Sequence, residues 1–248
     1  MPPRIAIPMP HSTDVQYGQR AIPQYERALE LAGGVAVRIP LDQTPGELKK
    51  LVAGRDGVLL PGSKADVNPA RFHQPVCASS AAADTRREKV DFFLLDDAYA
   101  LRKPVLAICY GLQSLNVYRH GSLIQHIPDF LPEAARNRVN HEAGRTVTVA
   151  HTVEIGAESN LHRIVNSTTR DKTSDNLTLP VNSSHHQSAD KIGEGLRIVA
   201  RCPDDDIIEA LEGTASGHFV LAVQWHPERS VDQDEYSCSI FRALIQAT

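Results

Sequence analysis

The chain has 248 residues, 26 Lys and Arg against 30 Asp and Glu, a net charge of −4, and 42% apolar and 23% charged residues. That length allows one large domain or two small ones and buries a full core without staples, and the composition excludes disorder or a collagen-like repeat as the main state. The lack of a basic excess argues against nucleic acid as a partner, and no apolar run approaches the roughly 18 residues of a membrane span.

The opening MPPRIAIPMPHSTD is too short and too broken by proline for a secretory signal, so a cytoplasmic location is expected. Cys77, Cys109, Cys202 and Cys238 form no C-x-x-C pair, which excludes a zinc ribbon or thioredoxin motif and leaves free thiols as the expectation. Asn166, Asn176 and Asn182 head N-x-S/T sequons, read as chance matches in a chain that is not secreted.

In chain order, Arg4 to Pro8 is an apolar first strand, and Gln19 to Ala32 a helix with Pro23 near its start and Gly33-Gly34 at its stop. Val35 to Ile39 is a second strand. Thr44 caps a short helix with Pro45 at its first position and Leu48 and Leu51 within it. Asp56 to Leu60 is a third strand, closed by Pro61-Gly62-Ser63, and 64–82 reads as a loop. Asp84 to Arg102 is a long helix whose buried stripe should be Val90, Phe93, Leu94, Ala98 and Leu101. Val105 to Ile108 is a fourth strand and Leu112 to Tyr118 a helix.

Residues 127–145 look irregular. Thr146 to Ile155 alternates as a half-solvated strand, and 166–176 reads as an exposed loop. Short strands follow at 177–181, 196–200, 207–212 and 219–223, before a last helix over Asp234 to Gln246. This alternation predicts an α/β fold: a single domain over 1–248, flavodoxin-like, an open sheet of mostly parallel strands with helices on both faces.

The sharpest chemical signal is PVLAICYGLQ, residues 104–113. A buried strand runs into Cys109, and Gly111 follows at a helix start. That is the pattern of a nucleophile elbow, which needs small neighbours because strand and helix nearly touch. A structural buried cysteine is the alternative for the residue alone, and the surrounding pattern outweighs it. At a helix N-terminus the thiolate of Cys109 should be favoured, and the Tyr110 N–H would face a developing oxyanion.

AVQWHPE (222–228) supplies a base in His226 and an orienting carboxylate in Glu228. LLPGS (59–63) ends a strand in a turn whose Gly62 N–H offers a second oxyanion donor. In VNSSHHQ (181–187) the paired histidines could be ligands, substrate contacts or polar loop residues. A metal site from His185, His186, His226 and Glu228 is disfavoured, because they lack the i, i+4 spacing of helical zinc sites.

Together LLPGSKADVNP (59–69), PVLAICYGLQSLNV (104–117), GSLIQHI (121–127), VNSSHHQ and AVQWHPE make the chain resemble a class I glutamine amidotransferase domain. The resemblance is closer to the gamma-glutamyl-gamma-aminobutyrate hydrolase branch of that superfamily. It implies a Cys109-His226-Glu228 triad, an oxyanion hole from the N–H groups of Gly62 and Tyr110, and a glutamyl site lined by Gln113, Ser184, His185 and His186. Two positions depart from the pattern: Tyr110, where such hydrolases often carry arginine, and His120-Gly121-Ser122-Leu123 in place of G-G-S-L.

The implied reaction is hydrolysis of a small gamma-glutamyl amide through a thioester, with no metal or organic cofactor. The motifs occupy 59–228 and no G-x-x-x-x-G-K-[ST] is present, so a stand-alone hydrolase is expected ahead of a glutaminase subunit feeding a separate synthetase. A non-catalytic binding protein on the same fold is the third reading. A homodimer is compatible with all three.

Overall fold

The computed structural model describes residues 1–136, 138–167 and 176–248. Strand and helix alternate through β1 (Arg4–Pro8), α1 (Val15–Leu31), β2 (Val35–Ile39), α2 (Pro45–Val52), β3 (Gly57–Leu60), α3 (Thr85–Leu101), β4 (Val105–Ile108) and α4 (Tyr110–Tyr118). The rest is richer in strand: β5 (Leu123–Ile124), α5 (Ile127–Phe130), β6 (His151–Gly156), α6 (Asn160–Asn166), β7 (Asn176–Val181), β8 (Ser188–Ala189), β9 (Leu196–Arg201), β10 (Ile208–Gly213), β11 (Val220–Val223) and α7 (Glu235–Gln246).

One sheet of nine strands runs in the order β2-β1-β3-β4-β11-β10-β9-β6-β7. The strands from β2 to β11 pair in parallel, and the remaining four pairings are antiparallel. Only β10 and β6 reverse, so seven of the nine strands point the same way. The runs GVLL, VLAI and VLAV are buried along their whole length, as parallel strands covered on both faces must be.

Successive side chains point to opposite faces. Leu106 and Ile108 join a core with α1, α6 and α7, whereas Val105 and Ala107 join one with α2, α3 and α4. The expected α/β sheet with helices on both faces is therefore present.

Local chemistry moves several boundaries. Asp14 accepts the Tyr17 N–H, so α1 starts at Val15 and Pro23 lies inside it rather than near its start. Thr44 and Glu47 close a capping box on α2, with Pro45 at the first turn as expected. The strand expected over Thr146 to Ile155 begins only at His151, where the pairing of β6 with β7 starts opposite Val181. Leu101 is exposed rather than part of the α3 stripe, whose buried face instead includes Arg87, Glu88 and Asp91. Helix α6, capped by Ser159, was not expected from its mixed sequence. Most of the loop expected over 166–176 lies outside the described residues. Among the described residues no helix is long and apolar enough to cross a membrane.

Candidate active site

Strands β3, β4 and β11 lie side by side in parallel, so their carboxyl ends deliver Gly62, Cys109 and His226 to one edge of the sheet. Open α/β sheets bind ligands at that edge. Cys109 stands at the N-terminus of α4 with φ 53° and ψ −108°, a backbone state that costs a non-glycine residue about 1–3 kcal/mol. Its N–H donates to the Val223 carbonyl at 2.8 Å, which pins the turn to β11. A Cβ on Gly111 would meet the Leu60 carbonyl and lie 2.8 Å from the Leu60 Cβ. The elbow expected from the sequence is therefore formed, and Gly111 is what lets α4 pass β3.

A buried guanidinium supports this turn. Arg87 donates to the Pro10 carbonyl at 3.1 Å, the Pro61 carbonyl at 2.7 Å and Asp91 at 2.6 Å. It also lies 4.9 Å from the centroid of the Tyr110 ring. One side chain thus ties the β3 turn, the residue after Cys109 and the N-terminal segment together.

The Cys109 thiol is buried, and burial pushes its pKa up to about 12. Arg229 and the Tyr110 N–H favour the thiolate without offsetting that burial. Loss of water around sulfur thus opposes the thiolate that the helix N-terminus favours. A buried base is at hand in the same cavity. His226 Nδ1 lies 2.7 Å from Glu228 Oε1. Burial holds His226 below the ordinary histidine range, against the pull of Glu228. Glu228 sits below the usual carboxylate range because His226 and Arg229 outweigh its desolvation. A neutral imidazole with Nδ1–H on a carboxylate leaves Nε2 free to take a proton.

Asn182 fixes the backbone of His226 from both sides, its Oδ1 accepting the N–H at 3.0 Å and its Nδ2 donating to the carbonyl at 2.9 Å. Asn182, whose sequon was read as a chance match, is buried and holds the His226 backbone.

Gly62 is brought against the pair: a Cβ there would lie 3.0 Å from His226 Cε1 and 3.7 Å from Cys109 Cβ. Its N–H donates to the buried Tyr25 hydroxyl at 3.0 Å, so the second oxyanion donor expected from the sequence is already engaged.

A cavity of about 320 Å³ opens onto Cys109 and His226, and Gln113, Ser184, His185 and His186 also line it. Gln113 donates to the Gln187 carbonyl at 3.1 Å, and Ser184 accepts from Arg229 at 2.9 Å. His186 Nε2 meets Asp66 at 2.9 Å. His185 directs Nδ1 to the Gln187 carbonyl at 2.9 Å and Nε2 toward Glu209. His185, His186, His226 and Glu228 do not converge as ligands around one point.

Sequence reasoning missed the charged lining. Arg20, Lys64, Arg145 and Arg229 face the cavity with Asp66 and Glu142. Arg229 directly follows His-Pro-Glu and was within reach of a local reading. The others come from separate segments and carry no shared pattern.

The chain is similar to several known proteins. A glutamine amidotransferase-like protein of Rickettsia prowazekii is 30% identical over 90% of this chain and 87% of its own length. Gamma-glutamyl-gamma-aminobutyrate hydrolase PuuD of Escherichia coli K12 is 30% identical over 90% of this chain and 84% of its own. The structure of PurLQS from Thermotoga maritima shares the fold at a TM-score of 0.59 and 17% identity, over 99% of both chains. The profile of one family, Peptidase C26, spans residues 6–228, from β1 through the His-Pro-Glu segment, and the chain belongs to that family.

Proposed function

We propose that this chain is a cysteine-dependent hydrolase of gamma-glutamyl amides, with Cys109 as nucleophile, His226 as general base and acid, and Glu228 as the carboxylate that orients His226. The observation that carries the reading is the strained Cys109 turn opening into the cavity it shares with the Glu228-paired His226.

His226 Nε2 takes the thiol proton as sulfur attacks the side-chain carbonyl. The Tyr110 N–H stabilises the oxyanion; the Gly62 N–H joins it by exchanging the Tyr25 hydroxyl for the oxyanion. The imidazolium then gives its proton to the departing amine, leaving a glutamyl thioester. Water, deprotonated by His226, attacks the thioester, and glutamate leaves as sulfur recovers its proton.

The charged lining supports a substrate with more than one carboxylate. Four cations against two acids fit a zwitterionic glutamyl head plus a further anionic group on the leaving amine, as in gamma-glutamyl-gamma-aminobutyrate. The PuuD relative, named for that activity, points the same way. On this reading the enzyme acts in catabolism of polyamine-derived gamma-glutamyl compounds. Four unpaired cysteines support a cytoplasmic location.

The test is glutamate release from gamma-glutamyl-gamma-aminobutyrate, uncharged gamma-glutamyl amines, gamma-glutamyl peptides and glutamine, with Cys109→Ser in parallel. Cys109-dependent release, fastest from the carboxylated amine, is expected. Release from glutamine alone would replace this reading with that of a glutaminase subunit, and no release from any substrate would remove the hydrolase.

A further inference from the structure

Behind the catalytic cavity, three histidines and a glutamate from four separate segments meet in the interior. His141 comes from the irregular segment before β6, His151 opens β6, His185 follows β7, and Glu209 lies on β10. All four are buried, Glu209 completely. Their ligand atoms lie within 4.8 Å of one another. Glu209 Oε1 is 3.3 Å from His141 Nδ1, 3.5 Å from His151 Nε2 and 3.6 Å from His185 Nε2. Zinc bonds of about 2.0–2.1 Å in a tetrahedron put ligands about 3.3–3.4 Å apart.

Hydrogen bonding decides what the inward atoms are. His141 Nε2 meets Asp205 at 2.8 Å, His151 Nδ1 the Thr152 carbonyl at 3.1 Å, and His185 Nδ1 the Gln187 carbonyl at 2.9 Å. Every outward partner is an acceptor, so each outward nitrogen carries the hydrogen. In the neutral rings, the inward nitrogens are then bare lone pairs facing a carboxylate. None of the three, and neither Glu209 oxygen, has a hydrogen-bond partner among the described residues. Three lone pairs and an anion gathered in a dry interior repel unless a proton or a metal cation lies between them, and a single metal ion answers all four atoms at once. Outward carboxylate and carbonyl partners are the arrangement that orients histidines as metal ligands.

We propose that His141, His151, His185 and Glu209 form a closed structural site for a divalent transition metal of the zinc class. Three imidazoles and one carboxylate suit zinc, and four protein ligands leave no open position for a reacting water. Its role is to fasten the segment around His141, which brings Glu142, Gly144 and Arg145 to the cavity, onto β6 and β10. Of the four ligands only His185 lines the cavity, and its Nε2 turns toward Glu209, so the ion acts by holding the cavity wall rather than on the substrate.

The test is metal analysis of the full chain purified without chelator, followed by zinc titration after chelator dialysis. About one zinc per chain is expected, held equally by Cys109→Ser and lost in His151→Gln and Glu209→Gln. Zinc at a thousandfold above its Kd should raise Tm by about 10 °C in the wild type and leave the two variants unmoved. Should the variants fail to fold, anomalous scattering at the zinc edge from wild-type crystals must place the ion among the four side chains. A wild type that neither holds nor takes up zinc, an undiminished zinc content in folded His151→Gln, or an anomalous peak at Cys109 would overturn the proposal.

Discussion

Asn182 and His226 exchange two hydrogen bonds, the Asn182 carboxamide accepting the His226 N–H and donating to the His226 carbonyl. The amide thus stands in for a strand neighbour at the point where β11 has ended. It fixes where the imidazole can reach, while Glu228 fixes how the ring turns. Asn182→Ala would leave a buried N–H and a buried carbonyl unpaired, at about 1–3 kcal/mol each. We expect a lower Tm, by about 2–4 °C per kcal/mol, and a fall in kcat larger than any change in KM. An unchanged kcat would show that the ring is positioned without Asn182.

Glu228→Gln keeps volume and hydrogen bonding but removes the charge beside His226. The imidazolium formed during the reaction loses its counter-charge, and the amide can hold the ring in the wrong tautomer. A kcat lower by about 10²–10⁴ is expected with the fold intact, checked by steady-state kinetics together with circular dichroism. Wild-type turnover would remove Glu228 from the mechanism.

Arg87 and Asp91 form a fully buried ion pair beneath the elbow. Arg87→Met fills similar space but leaves the Asp91 carboxylate and the Pro10 and Pro61 carbonyls without their donor. Breaking one partner of such a pair costs about 3–5 kcal/mol. Chemical denaturation should show that loss, and Asp91→Asn in the Arg87→Met background should restore part of it. No recovery would mean that the carbonyl contacts, rather than the ion pair, carry the stability.

Gly111 tests the elbow itself. The methyl of Gly111→Ala would press on the Leu60 backbone, which belongs to a fully buried strand and cannot yield cheaply. A loss of about 1–3 kcal/mol is expected. Glutamate release should fall further than stability alone explains, because Cys109 moves with α4. Full activity in a folded variant would show that β3 and α4 have room to part.

The parallel strands and the Cys109 turn were legible because their signals are local. A four-residue apolar run, a small residue at a fixed offset and a turn glycine each act over a few residues. The supports of the site were not legible, since they depend on where distant segments land. Arg87, Glu88 and Asp91 look like a solvated helix face, yet burial under the β3 turn makes Arg87 the tie between three segments. His185 lines the cavity, yet nothing in its neighbouring sequence says that its Nε2 faces Glu209 on β10, 24 positions further along. The burial of Cys109 was not legible for the same reason: a helix N-terminus can be read from sequence, but the depth of burial cannot.

The protonation of Cys109 and His226 sets the pH dependence. His226 acts as a base only when neutral, and its pKa is held below the ordinary value of about 6.5. Activity should therefore rise with pH through a midpoint below that value. The thiol, raised to about 12, stays protonated across the neutral range, so no second gain follows between pH 7 and 9. The free enzyme gives an independent reading through alkylation. Inactivation by iodoacetamide should keep accelerating beyond pH 9, where an ordinary thiol with a pKa of about 8.5 would approach its plateau. Substrate binding changes this only by placing an electrophile against sulfur, which lets proton transfer to His226 accompany attack. A plateau in alkylation rate already reached at pH 7 would mean that Cys109 and His226 rest as a thiolate–imidazolium pair, with the Arg229 charge and the Tyr110 N–H outweighing burial.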